Sequence, residues 1–401
     1  MATEITREEI FKEIRNAREQ HKKPNLSKKI LRNIDLNGEN LLGVNLQGST
    51  LDGCHLKNVN LQGANLQGAK LQNSEFQGAE LQGADLRGAN LQGGNLLGAN
   101  LLGCNLQKAN LQGVNMQETN LEGVDFQKAV IKDVFLQRAN LKGANFQGQD
   151  IRHLDLSTSL LQEIDFSEAN LSGMNLGGFD LSYINLQGAN LENCKLQGAN
   201  LQGANLTKVS SLLSSKPTKL AGADLTGANL QQANLQATDF RQATLAGVKL
   251  QEADLQEAIL TGVTLQGADL REANLQKANL GEADLQKADL ERANLQGGNL
   301  KEANGQGVNL QQALMPNSNL QGVNLQDANL AGVDLQNSDL QGANLQAANL
   351  LGANLQAARL QAASLADADL RGTCLKEAAF DQKTQWPLGF EPALVRGLKP
   401  A

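Results

Sequence analysis

Aromatic residues are nearly missing from this chain: one Trp, one Tyr and ten Phe among 401 residues. A broad globular core, which draws on large rings to fill its volume, is therefore not expected. Histidine is equally sparse, and His21, His55 and His153 stand too far apart to share a metal. Cys54, Cys104, Cys194 and Cys374 are separated by 50, 90 and 180 residues, which matches no disulfide framework or metal-ligand spacing. All four are read as buried substitutes for Ala. No nucleophile–base pair, glycine-rich phosphate loop or metal motif occurs. The reading is accordingly of a protein that is not an enzyme and uses no cofactor or metal. No apolar run reaches 18 residues and no leader pattern is visible, so a cytoplasmic protein without a membrane partner is expected.

What the chain has in excess is a period of five. From Leu31 to Leu206 every fifth residue is Leu, Phe, Ile or Met, which makes 36 units. From Leu220 to Phe380 the rule holds over 33 more, with Gly305 the one gap. A small residue stands two positions before each apolar centre, and Asn or Asp immediately before it, as in "GANLQGANLQ". A helix would smear this pattern around its surface, and a flat strand would send alternate Leu residues to opposite faces. The pattern works when each five-residue unit forms one short side of a coil and ends in a turn. Centre and small residue then point inward, and Gly and Asn supply the turn conformation. Phe126, Phe146 and Phe166 recur every 20 residues and would stack in a coil of four sides. About 17 coils at a strand spacing of roughly 4.8 Å would make a rod about 80 Å long.

These A-[ND]-L-x-x units resemble the pentapeptide-repeat family over residues 31–208 and 220–380. The resemblance implies an all-β solenoid, a right-handed quadrilateral parallel β-helix, here with a short N-terminal α-helix and a C-terminal cap. The tail "FDQKTQWPLGFEPALVRGLKPA" from Phe380 looks like those of cyanobacterial members, with Trp386 and Phe390 expected over the last coil and Pro387 ending the pairing.

Five segments follow: a capping helix at 1–24, repeats at 25–208, an inserted loop at 209–219, repeats at 220–381 and a cap at 382–401. Residues 5–21 carry a capping box, Thr6 with Glu9, and one apolar face of Ile10, Phe11, Ile14 and Ala17. This helix reads first as a lid over the first coil's open edge. Docking into a partner, or lying on a membrane surface, are the weaker alternatives. Charge is uneven: residues 1–35 hold nine Lys/Arg against six Asp/Glu, the remainder 26 against 36.

Departures from the repeat mark the candidate sites. Leu97, Leu102, Val130 and Phe135 are apolar at outward positions. Four-sided coiling puts Leu97 and Phe135 on one face within about 10 Å, with Leu102 and Val130 on the flanking faces. They read either as scattered surface residues or as a partner-binding patch. Between 149 and 186 the inward small position carries Gln149, Leu154, Ile164, Met174, Phe179 and Ile184, which should widen the coil. Gly305 should leave a hole into which Met315 can lean, so Gly305→Leu is expected to be neutral or stabilising. The spacing between Leu206 and Leu220 exceeds one unit by nine residues, which should project as a loop above pairing that closes beneath it. Lys208, Lys216 and Lys219 make that loop basic, either a binding element or a passive insertion.

The leading expectation is a protein-interaction scaffold or regulator whose protein partner the sequence does not name. Related cyanobacterial proteins are linked to regulation, including of development and ion uptake. A homodimer through stacked ends or side-by-side faces is compatible with the repeat. The alternative, also implied by the resemblance, is a binder that protects DNA gyrase by mimicking DNA. Duplex DNA would carry about 47 charges over such a rod. Beyond residue 35 this chain offers a net charge of −10, diluted throughout by Lys and Arg. Direct binding of nucleic acid is not expected of so acidic a surface.

Overall fold

The computed structural model describes residues 3–207, 209–210, 215–216 and 218–400. The chain divides into two compact units, residues 1–170 and 171–401, and each is a β-helix-type solenoid. The division falls inside the 149–186 stretch of enlarged inward residues. Among the described residues no helix is long and apolar enough to cross a membrane.

Residues 41–46 show why five residues make one side. Leu41, Val44 and Leu46 are completely buried. Burying a Leu side chain contributes about 2 kcal/mol, so each side is anchored by its centre. The Val44 N–H donates to the Leu41 carbonyl at 3.1 Å, closing a tight turn, and Gly43 within it has φ 64°. That positive φ is what a type II turn requires of its third residue.

Asn45 then does two jobs that explain the residue before each centre. Its Oδ1 accepts from the Gln47 backbone at 3.1 Å, and its Nδ2 donates to Asn25 Oδ1 one coil away, also at 3.1 Å. Stacking is equally regular in the backbone. The Leu46 N–H donates to the Asn65 carbonyl at 2.7 Å, and the Asn65 N–H to the Val44 carbonyl at 2.9 Å. Parallel bridges join residue i to i+20, as in Asn25 to Asn45 and Asn45 to Asn65, so four units complete one coil. The pairing begins at Asn25, one unit earlier than the first centre counted in the sequence.

Most polar residues at the inward small position share one recurring bond, while Ser49 and Thr119 instead donate to the carbonyl three residues back. Ser74 Oγ donates to the Leu51 carbonyl at 2.7 Å, and Cys54 Sγ lies 2.7 Å from that of Leu31. Cys104 and Cys194 make the same contact with Leu81 and Leu171. Burial pushes the thiols of Cys54 and Cys194 up to about 11 and that of Cys104 to about 12. Cys374 departs from expectation: it is exposed, because it occupies the outward position before Leu375.

At the N-terminal end, β1 (Thr3–Glu4) pairs in parallel with β2 (Lys29–Ile30). Helix α1 (Arg7–Glu19) follows, with the Thr6–Glu9 capping box formed and Ile10 and Ile14 buried. Phe126 and Phe146 stack with ring centroids 4.5 Å apart, and Phe166 tilts against Phe146 at 5.8 Å. Near the other end β5 (Ala379–Phe380) pairs with β6 (Lys399–Pro400) beyond a 3-10 turn at Pro392–Leu394. Trp386 stacks on Phe390 at 4.8 Å and meets Phe380 edge-on at 5.7 Å.

Gly305 also corrects the expectation made for it. A Cβ added there would meet Leu325 Cδ2 at 3.0 Å and Val308 Cγ1 at 3.2 Å. Leu325 and Val308 thus crowd the place where a side chain at 305 would begin. A larger residue must therefore displace them.

Candidate interaction surface

The regular stacking fails at one place in unit 1. Val130 pairs with Asn110 and Phe135 with Asn115 on one side, but among the described residues neither pairs with Asp150 or Asp155 on the other. The two flanking columns remain closed, Asp125 with Asn145 and Asn140 with Leu160. The cause is legible in the inward residues directly below the gap. Gln149 and Leu154 stand where the coil above carries Ala129 and Val134, and their extra bulk lies under the two consecutive sides that fail to close.

Side chains replace the lost backbone bonds. Gln149 Nε2 donates to the Phe126 carbonyl at 2.6 Å and to that of Ala129 at 3.2 Å. His153 Nε2 lies 3.0 Å from the Ile131 carbonyl. The Arg138 N–H donates to Thr158 Oγ1 at 2.9 Å, and Gln137 Nε2 to Asp155 Oδ2 at 3.2 Å. At the rim, Arg152 grips Asp150 with Nη2 at 2.6 Å and holds that carboxyl down at about 2.

The four outward apolar residues are all exposed: Leu97 at 37%, Leu102 at 42%, Val130 at 48% and Phe135 at 49%. Leu97 and Phe135 share a face two coils apart, but the intervening coil presents Asn115 and Gln117, and Gln117 Nε2 donates to Gln137. Val130 and Leu102 lie on the two flanking faces. Val130 and Phe135 therefore belong together at the lip of the opened ladder, and Leu97 and Leu102 stand apart from it. Leu42 and Leu160 are exposed as well. They too are apolar one position from a centre, the signal by which the sequence could have disclosed them.

In unit 2 the extra nine residues are absorbed without disturbing the stack. Bridges across the insertion run from Asn190 to Lys219 and from Asn205 to Asn234, an offset of 29 in place of 20. Above them β3 (Val209–Ser210) pairs antiparallel with β4 (Ser215–Lys216). Lys208 lies outside the described residues. Lys216 is in β4, and Lys219 is a ladder residue whose Nζ lies 3.5 Å from Glu192 Oε1.

The acidic residues form local pairs. Asp85, Asp239, Asp269 and Asp369 each bind an Arg two residues on, at 2.5–2.7 Å. In one column Asp269 and Asp289 are adjacent, but Lys249 and Asn309 flank them. His55 lies with Lys57 on Glu75, whose carboxyl the Lys57 bond holds below its usual range. Among the described residues no group of His, Cys, Asp and Glu has the arrangement of a metal site.

The model of the family "Pentapeptide repeats (8 copies)" matches overlapping segments covering residues 40–157, 184–210 and 223–376. No curated protein matches the chain. Among solved structures, HetL from the cyanobacterium Nostoc sp. strain PCC 7120 is a pentapeptide repeat protein involved in heterocyst differentiation regulation. It is 33% identical over 54% of this chain and 86% of its own, with a TM-score of 0.24. QnrB1, a plasmid-mediated fluoroquinolone resistance protein, is 19% identical over 53% and 90%, with a TM-score of 0.24. A pentapeptide repeat protein from the cyanobacterium Cyanothece 51142 is 24% identical over 49% and 90%, with a TM-score of 0.12. The family model alone spans well over half of the sequence, and the chain belongs to the pentapeptide-repeat family.

Proposed function

We propose that this chain is a non-enzymatic scaffold or regulator that presents its coil faces to a protein partner. The observation that carries this reading is the lip at Val130 and Phe135, two half-exposed apolar side chains beside a stretch of unpaired ladder. Elsewhere outward positions are mostly polar, as in the Gln47 to Gln67 bond, and although Leu42, Leu314 and Leu351 are exposed too, Val130 and Phe135 border the opened ladder. The coil turns right-handed, as parallel crossover connections do. Helix α1 with β1 caps the first coil, and the segment carrying Trp386 and Phe390 caps the last.

A capture experiment tests the reading. Tagged protein, its Phe135→Gln variant and a version lacking the nine residues 209–217 are each incubated with lysate of the source organism. A partner retained by the intact protein is then titrated in purified form. Loss of at least tenfold in affinity with Phe135→Gln is expected; undiminished binding overturns the lip as the contact. The second reading, a gyrase-protecting DNA mimic, is favoured by the family resemblance but opposed by the Arg-paired acids. Inhibition of gyrase supercoiling by the purified protein would support it.

A further inference from the structure

A cleft of about 410 Å³ lies between α1 and the first coils, walled by Arg7, Phe11, Ile14, Arg15, Arg18, Glu39 and Asn40. Its charge is unbalanced. Arg7 is committed to the fold: its Nε donates to the Asp35 carbonyl at 2.8 Å, its Nη2 meets Glu39 Oε1 at 3.0 Å, and its guanidinium lies 4.8 Å from the Phe11 ring centre. Among the described residues Arg18 reaches only a neutral acceptor, the Asn40 carbonyl at 2.6 Å. Arg15 has no ion pair among them, and the one carboxylate in the cleft wall, Glu39, is taken by Arg7, so two guanidinium charges face the cleft without a carboxylate partner. Phe11 is half-buried and Ile14 buried, which makes the floor apolar. The opposite side of α1 is different, with Glu4, Glu9 and Glu13 set among Lys12 and Lys29.

We infer that the Arg15–Arg18 cleft is a docking site for an acidic peptide segment of a partner protein, one that alternates carboxylate and large apolar side chains. The inference deepens the scaffold reading and rests on it, but concerns a surface well away in sequence from Phe135. Guanidinium groups pair bidentately with carboxylates, and Arg15 and Arg18 are the two whose donors are not already spent on carboxylates. A floor of Phe11 and Ile14 selects against a free phosphate or a purely polar anion, which would leave the apolar surface wet. Complementarity of charge also predicts a salt-dependent affinity.

The probe is a fluorescein-labelled peptide, DELFDELFDE, with NQLFNQLFNQ as its uncharged counterpart, added to the full chain and read by fluorescence anisotropy. Saturation at tens of micromolar is expected in ~0.05 M salt, with at least a tenfold weakening in ~0.5 M salt. Arg15→Glu, with Arg18→Gln as a second variant, should each weaken binding about tenfold while the unfolding temperature stays unchanged. Phe11→Ser should also weaken it. Absence of saturation up to about 1 mM overturns the inference, as does equal binding of the uncharged peptide or of the Arg15→Glu variant. Equal binding of an oligonucleotide would overturn it too. A failure here leaves the Phe135 lip untouched, and loss of capture through Phe135→Gln leaves the cleft untouched, so the two readings fail separately.

Discussion

The coils at residues 220–365 and those at 126–166 are made from the same five-residue unit, yet only the first set stacks without interruption. In the first set the small inward position holds Ala, Val, Ser, Thr or, once, Gly298, and bridges run column by column, as from Asn234 through Asp254 and Asn274 to Asn294. In the second, Gln149 and Leu154 enlarge two consecutive sides and the ladder opens there, while Ile164, enlarged alone, stands on a side that stays closed through Asn145 and Asp165. The difference teaches that the apolar centre holds a coil together, and that one enlarged inward residue is accommodated where two in succession are not. A solenoid tolerates such a fault because each coil depends only on its neighbours.

That contrast can be broken by substitution, beginning with the largest effect. Leu275→Ala, inside the regular stretch and fully buried, should cost about 3 kcal/mol in a denaturant titration, since rigid neighbours cannot close the cavity. A cost below about 1 kcal/mol would mean that regular coils relax as freely as the open one. Gly305→Leu should lose about 1 kcal/mol, because Leu325 and Val308 must withdraw. A gain in thermal stability would show instead that the two side chains return to their column positions without strain.

In the opened region the sign changes. Leu154→Ala should lie within about 1 kcal/mol of the parent, as Ala is the residue that lets the ladder close. Combined with Gln149→Ala, it should slow hydrogen exchange at the Ile131 and Leu136 amides, which are read by mass spectrometry or NMR. Unchanged exchange would separate the gap from the bulk beneath it. The smallest effect concerns Asp150, whose carboxyl Arg152 holds down at about 2. A carboxyl lowered in the folded state adds stability above its unfolded value near 3.9, and that contribution fades as pH falls towards 2. Arg152→Gln should flatten this part of the unfolding temperature profile between about pH 4 and pH 2. An identical profile in the variant would assign no such role to the pair.

Much of this was written in the repeat itself. The inward pairing of Leu41 with Val44 and the four-sided period carried by Phe126, Phe146 and Phe166 follow from spacing alone, because each unit meets the same local requirement. The capping box at Thr6 was legible for the same reason, being a contact between residues three apart. The candidate site was less legible. Enlarged residues at 149 and 154 announced a widened coil, but not that the Val130 and Phe135 sides would lose their partners. The cleft beside Arg15 and Arg18 gave no sequence signal beyond their spacing on one helix.

The sequence by itself determined the coil, its four sides, the identity of the residues that point inward and the nine-residue excess at the insertion. Each of these is set within one unit or between units at a constant offset, so periodicity suffices. Only the tertiary structure decided that Leu325 crowds the space beside Gly305. It also decided that Gln149 and His153 replace backbone bonds, and that α1 leaves two arginines facing a cleft. Those outcomes depend on side chains a full coil or more apart in the chain, where packing volume and the position of one neighbouring donor settle the arrangement.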